Sequence, residues 1–567
     1  MNSTPPNAPL GGARSSAKNT VPRCGVNPTS QPDSPMDALA PLGFTDLDMP
    51  NDKRPRLAGD PRRTERGMSH GLRTGSEYRE ALRDARKVWV LGEGRIEDVT
   101  QHPATRPMVE EYVAWYDRHF DPAWQDIVLT PPDAAGNRLP WGCVLPKTAA
   151  DLTRMAHCFS ATTFPTAGNI THTPAYGNLI ALGILGAIYE QNPDPAQIAN
   201  AAAYRQLIAD IGRFLTFSAG AATIGYRLRE NPAERAAVKI IRETDAGVFL
   251  SGKIGMHTSP AYAEDVYVGA LCGVEYDGRA ASFAVPVGAP GVTTICRKLS
   301  VCHPNRFVAP LSHRFDELDA QMWLDKVFIP WERVFLLALP LEPVARWLFW
   351  HQLYCWLAKA EFTLGLALAC THALGLQSNQ TTIEYLVDLI IDVQTVRSCQ
   401  TAAERDPQFT PQGFCYPNHN HVAAGSIAML RARQRITEIL RILPGSSLVV
   451  APCDADLADP ELAAGLDESF AGAGYTALQR AALLQLAWDH VSSALDGRES
   501  AFELHANGGL PTWRGRIRRT FDRYNELANA VLQTLDLEMP EIDLSSIPAA
   551  PIAPRRVVQP RTPASAA

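Results

Sequence analysis

Four short stretches of this chain hold side chains able to move protons or to grip a polar ring. They are Gly168-Asn-Ile-Thr-His-Thr-Pro-Ala-Tyr176, Phe217-Ser-Ala-Gly-Ala-Ala-Thr-Ile-Gly-Tyr-Arg227, Gly255-Met-His-Thr-Ser-Pro260 and Asp496-Gly-Arg-Glu-Ser-Ala-Phe-Glu-Leu-His-Ala-Asn-Gly508. The imidazole of His172 can donate or accept a proton; its plainer reading is a helix cap. Ser218 cannot act as a base at neutral pH, but its hydroxyl both donates and accepts. Thr258 either bonds the polar edge of a ligand or closes its own turn, and His257 beside it is a further acid–base candidate.

Local motifs leave the chemistry open. No G-x-G-x-x-G opens a helix after a strand, and no G-x-x-x-x-G-K-[ST] is present, so a Rossmann or P-loop nucleotide site has no support. Neither an H-E-x-x-H cluster nor a Gly-x-Ser-x-Gly elbow stands out. The eleven cysteines are an odd, scattered set without a C-x-x-C pair, which reads as reduced thiols in the cytoplasm. A net charge of −7 and the lack of a basic tract argue against nucleic acid. The run Leu179 to Tyr189 is too short to span a bilayer.

The elements that must position these stretches follow from periodicity. Residues 1–70 are rich in Pro, Ser, Asn, Gly and Arg, and are expected to be disordered without a signal-peptide core. Order is expected from Thr74, with Ser76 capping a first helix and a short strand over 87–93. Further helices are expected over 149–162, 177–191 and 198–228. From about 236 the period changes to 2: Asp245-Ala-Gly and Asp277-Gly278 turn two hairpins, and Ala320 to Phe328 alternates until Ile329-Pro330-Trp331 stops it. Helices of 20–30 residues are expected over 343–376, 379–405, 420–444, 473–496 and 512–535, as in a bundle. The divisions are 1–70, 71–235 (helical), 236–335 (β), 336–545 (helical bundle) and 546–567 (disordered tail).

The junction from Pro310-Leu-Ser-His-Arg-Phe-Asp-Glu-Leu-Asp to Ile329-Pro-Trp-Glu-Arg-Val-Phe335, together with Thr173-Pro-x-Tyr176 and Gly497-Arg498, resembles the large oxygenase component of two-component 4-hydroxyphenylacetate 3-monooxygenases. That family is a branch of the acyl-CoA dehydrogenase architecture, and the likeness spans about 74–545. It implies a mostly α fold: an N-terminal helical domain, a middle antiparallel β domain and a C-terminal long-helix bundle. It also implies an FADH2-dependent monooxygenase that hydroxylates a small aromatic or N-heterocyclic substrate with O2 through a C4a-hydroperoxyflavin. A separate NAD(P)H:flavin reductase would supply the FADH2. The resemblance further implies a homotetramer built as a dimer of dimers.

Carried over by position, the resemblance makes His172, Tyr176 and Ser218 the catalytic candidates. His172 stands where the family has an arginine that holds the phenol oxygen, and Ser218 stands where it has a histidine. Ala219 and Gly220 would run along the flavin, and Arg227 would reach it or its phosphates. Thr258 and Ser259 would lie near flavin N5. Arg498, Phe502, Glu503, Leu504 and His505 would close over the cofactor. Arg314 would pair with Asp316 or Asp319 across the junction, or bind phosphate. The two replaced site residues point to a neutral or hydrogen-bonding aromatic, and also leave open a non-catalytic paralogue. A 4-hydroxybutyryl-CoA dehydratase-like enzyme is the rival on the same scaffold. It would need cluster-binding cysteines and a histidine; Cys296, Cys302 and His303 lie near one another, but a helical C-x-x-x-C pair is missing.

Overall fold

The computed structural model describes residues 72–190, 195–218, 230, 238–269, 275–276, 279–300, 305–336, 341–505, 508–518, 524–535 and 537–542. The expectations for 1–70 and 546–567, and those for Ala219, Gly220, Arg227, Cys302 and His303, fall outside these residues.

The N-terminal helices begin where their caps dictate. Thr74, rather than Ser76, caps α1 (Gly75–Ala81): its hydroxyl accepts from Glu77 N and the Glu77 carboxylate returns to Thr74 N. The reciprocal bond needs an acid three residues on, which Thr74 has; Ser76 meets Arg79 there. After α2 (Arg106–Asp117) and a short α3 (Gln125–Val128), the same device at Thr148 and Asp151 opens α4 (Ala149–Thr163). Helix α5 (Pro174–Glu190) is buried on every face from Pro174 to Ile188, as its unbroken apolar sequence requires. Its partner α6 (Pro195–Ile211) ends far short of the expected residue 228. Gly212, at φ +58°, stops it, and Leu215–Ser218 forms a buried strand instead.

Two mixed sheets pack face to face. The first has six strands in the order β2-β1-β9-β10-β5-β4, drawn from Val88–Val90 (β1), Gly94–Ile96 (β2), Val238–Thr244 (β4), Gly247–Thr258 (β5), Val292–Cys296 (β9) and Asp319–Pro330 (β10). The second runs β11-β8-β6-β3, with Leu215–Ser218 as β3, Asp265–Val268 as β6, Arg279–Pro286 as β8 and Val334–Leu336 as β11; Glu275–Tyr276 (β7) pairs with β8. Most pairings are antiparallel, as expected. The parallel exceptions, β1 with β9 and β3 with β6, join strands from the N-terminal part to the middle one. Val248, Leu250, Ile254, Val266, Phe283, Val285, Met322 and Ile329 fill the space between the sheets.

The C-terminal bundle consists of α7 (Leu341–Ala373), α8 (Gln380–Arg405), α9 (His419–Ile442), α10 (Ala477–Val491), α11 (Ala494–His505), α12 (Gly509–Arg518) and α13 (Asn525–Leu532). The helix expected from 473 starts later, because Gly472, Ala473 and Gly474 all take positive φ. The one expected over 512–535 is two helices. Helix α7 is long and apolar enough to cross a membrane, yet 67% of its most apolar window is buried inside the chain. Trp347, Phe349, Trp350, Leu353, Tyr354 and Trp356 are all buried within this one chain. Helices α5 and α7 nearly touch: a Cβ on Gly183 would lie 1.8 Å from the Val344 carbonyl oxygen.

Candidate active site

The site forms where the N-terminus of α5, the approach to β10 and helix α11 meet. Thr173 caps α5, accepting from Tyr176 N, and Pro174 fills the first helical position, where no N–H partner is needed. His172 just before it and Tyr176 one turn on place their rings 4.2 Å apart. Both are nearly buried. Among the described residues, nothing hydrogen-bonds the Tyr176 hydroxyl or His172 Nε2. These two polar atoms can therefore meet a ligand.

A buried carboxylate holds this turn. Glu317 accepts from Thr171 N (2.8 Å), His172 N (2.7 Å) and Thr171 Oγ1 (2.8 Å). Burial alone would raise its proton affinity. The hydrogen bonds from His172 and the charge of Arg498 outweigh that and hold the carboxyl below its usual range. Gly168, at φ +68°, lets the preceding loop lie on α7; a Cβ there would sit 2.1 Å from the Cys355 carbonyl oxygen. Helix α7 also brings up His351, 6.0 Å from the Tyr176 ring, with Nε2 buried and unpartnered. Burial pushes the His351 imidazole down to about 3.

A second turn lies beside the first. Thr258 ends β5, and its hydroxyl donates to Asp319 Oδ1 at 2.9 Å. Its carbonyl accepts from Thr216 on β3. Ser218, two residues along, shares that strand face and is fully buried. Ser259 takes a left-handed φ of 62°, anchored by its N–H to the Leu318 carbonyl. One hydroxyl spans the two turns: Tyr112 Oη donates to the His172 carbonyl (2.9 Å) and lies 3.1 Å from Ser259 Oγ. Among the described residues nothing partners either ring nitrogen of buried His257, and burial lowers it to about 4.

Helix α11 closes the third side. Arg498 grips Asp319 through Nε (3.0 Å) and Nη2 (2.8 Å), pairs with Glu499 and lies over the Phe502 ring, which faces His172 at 6.1 Å. Glu503 points into the bundle, paired with Lys359 and Arg433. Leu504 and His505 lie on the opposite, exposed face of the helix, away from this network. The expected partner of Arg314 is corrected as well. It pairs with Glu111 on α2, while Arg297 takes Asp316 and Asp319.

Thr171, Glu317, Asp319, Tyr112, His351 and Lys359 were not singled out as site residues from the sequence. A signal existed for two of them: His351 and Lys359 are polar residues on a helix otherwise dense in Trp, Leu, Phe and Ala. The residues present suit a flavin. Thr258 offers an acceptor oxygen, and buried His257 has polar capacity that no described residue meets.

Fold and site together define an oxygenase of the flavin-dependent aromatic monooxygenase class. Residues 74–336 match the 4-hydroxyphenylacetate 3-hydroxylase N-terminal family and residues 343–535 its C-terminal counterpart, and the chain belongs to this family. It is 26% identical to the 4-hydroxyphenylacetate 3-monooxygenase oxygenase component of Thermus thermophilus, over 76% of this chain and 91% of that one. It is 30% identical to the pyoverdin chromophore biosynthetic protein PvcC of Pseudomonas aeruginosa, over 78% and 91% respectively. A crystal structure of the oxygenase component of 4-hydroxyphenylacetate 3-monooxygenase with FAD and 4-hydroxyphenylacetate superposes with a TM-score of 0.74 at 26% identity, covering 82% of this chain and 98% of that one. An archaeal 4-hydroxybutyryl-CoA dehydratase shares the fold at 16% identity. Among the described residues there is no group of three metal-binding side chains; Cys302 and His303 lie outside them.

Proposed function

We propose that this oxygenase adds one oxygen atom to a small aromatic or N-heterocycle that carries an O–H or N–H on its ring, using reduced FAD delivered by a separate NAD(P)H:flavin reductase. The observation that carries this reading is the pair His172 Nε2 and Tyr176 Oη, on two buried residues, without protein partners among the described residues, and tied through Tyr112 to the Thr258–Ser259 turn. Reduced FAD, when bound, supplies the activated oxygen. The chain supplies the rest: His172 and Tyr176 orient the substrate's polar atom, Phe502 packs beside the ring, and Thr258 holds the cofactor's polar edge. Ser218 lines the same side on β3. The reductase partner fits the missing nicotinamide fingerprint.

The chain is further proposed to act in the cytoplasm as a homotetramer. Ile383, Val387, Ile390 and Ile391 form an exposed apolar stripe along α8, the kind of face a second copy would cover, and the eight described cysteines are all free thiols. The test of function is turnover of a panel of phenols, aminophenols and N-heterocycles with FADH2 and O2, read by mass spectrometry for a gain of one oxygen. Peroxide formation alone across the panel would refute it.

A further inference from the structure

Thr171 Oγ1 touches two partners at once, Glu317 Oε2 and His172 Nδ1, both at 2.8 Å. A hydroxyl has one hydrogen. Glu317 receives two backbone N–H groups besides, and as a carboxylate it has nothing to donate. The Thr171 hydrogen therefore goes to Glu317, and the hydrogen between Thr171 and His172 comes from the ring. A neutral imidazole with its proton on Nδ1 has a bare lone pair on Nε2, the nitrogen that no protein group among the described residues meets.

We infer that Glu317 and Thr171 are positioning residues that lock His172 in this tautomer, and that His172 is the catalytic base that takes the proton from a substrate bound as the neutral phenol. This rests on the proposed monooxygenase function and narrows its substrate to an aromatic delivered un-ionised. In the step, the O–H bond breaks, its electron pair stays on the ring oxygen, and an N–H bond forms at Nε2. The resulting ring anion is the form that an electrophilic oxygen attacks. The positive charge this puts on the ring is offset by Glu317, whose Oε1 lies 3.8 Å from Nδ1, and the proton on Nε2 leaves to solvent with the product.

The other groups around His172 do not compete for this role. Tyr176 on α5 is held protonated by burial, as is Tyr112 on α2. On α7, burial keeps His351 neutral and Cys355 a thiol. Arg498 on α11 is engaged by Asp319 and Glu499.

The probe is 4-nitrophenol, whose phenolate absorbs visible light and whose neutral form does not. It is titrated into the full chain, with and without reduced FAD under anaerobic conditions, in buffer acidic enough to keep the free probe neutral. Wild type is expected to bind it as the phenolate. Thr171→Val and Glu317→Gln are expected to lower the ionised fraction about tenfold, the scale of one lost hydrogen bond, with Thr171→Ser restoring it. Should Glu317→Gln fail to fold, Thr171→Val decides, since it leaves both backbone bonds to Glu317 in place. Binding as the neutral phenol by wild type, or an unchanged ionised fraction in Thr171→Val, overturns the relay while leaving the monooxygenase reading intact. Failure of wild type to bind any phenol under either condition overturns both.

Discussion

Thr258 gives its only hydroxyl hydrogen to Asp319, 2.9 Å away, and Asp319 is in turn fixed by both Arg498 and Arg297. Toward a ligand, Thr258 is left as an acceptor. Reduced flavin carries a hydrogen on N5 and oxidised flavin does not, so with Thr258 at N5, as the family resemblance implies, this geometry would favour the reduced cofactor. Thr258→Val should weaken binding of reduced FAD by about 1–3 kcal/mol, leave oxidised FAD nearly unchanged, and increase hydrogen peroxide formed per NADH consumed. Anaerobic titration in both redox states measures this; equal losses in the two would remove the argument.

Lys359 is buried between Glu499 and Glu503. Burial raises Glu499, while the charges of Arg433 and Lys359 keep Glu503 low. Lys359→Met leaves two buried carboxylates one cation short and should cost about 3–5 kcal/mol. Adding Glu499→Gln should recover part of that loss, a coupling that chemical denaturation of the four-member cycle would reveal.

Glu404 sets a pH dependence of stability. It accepts from Tyr354 and Trp350 in the bundle, and burial pushes it up to about 7 from 4.5. Between those values the folded chain holds one proton more than the unfolded chain. This group's contribution is therefore complete below the unfolded value and is lost as pH rises through the folded one. The slope is about 1.4 kcal/mol per pH unit, or about 3 kcal/mol over the window. Glu404→Gln should flatten the curve between pH 5 and 7, as seen by denaturation at each pH; an unaltered slope would assign the effect elsewhere.

The α8 stripe predicts an assembly defect. Val387→Glu with Ile390→Glu should dissociate the oligomer while leaving helix content intact, because both side chains are already exposed in the single chain. Light scattering with circular dichroism tests it, and a wild-type protein that is monomeric at micromolar concentration would dispose of the stripe as an interface.

Gly168→Ala would force a methyl onto the Cys355 carbonyl oxygen at a left-handed residue. A loss of about 2 kcal/mol or more is expected, together with weaker substrate binding, since the loop carries Thr171 and His172. Wild-type melting behaviour in the variant would contradict this contact.

The order of helices, strands and bundle was legible because it is written in local period, and so was the Asp245-Ala-Gly turn, whereas the first helix is capped by Thr74 rather than Ser76 and Asp277-Gly278 lies outside the described residues. The strand at Leu215–Ser218 was not. Its short run leads into an Ala-rich stretch that reads as helix, and its parallel partner β6 begins at Asp265. The site divides in the same way. His172, Tyr176 and Thr258 were picked out by resemblance to short family stretches, since local motifs left the chemistry open. Glu317 meets His172 across 145 residues and Lys359 meets Glu499 across 140, distances over which no sequence pattern reports. Arg314 was matched to nearby acids, yet the chain folds it onto Glu111, 203 residues away.

Tyr112 holds His172 by its carbonyl, and Glu317 holds Thr171 and His172 by their amides. Each of these grips is on main chain that every amino acid shares. The identity of the side chain at 172 is thereby uncoupled from the spacing between the two turns. A lineage built on such a frame can exchange the group that greets the substrate in a single step, keep its oxidising apparatus in register, and so take up new aromatic compounds without rebuilding the enzyme around them.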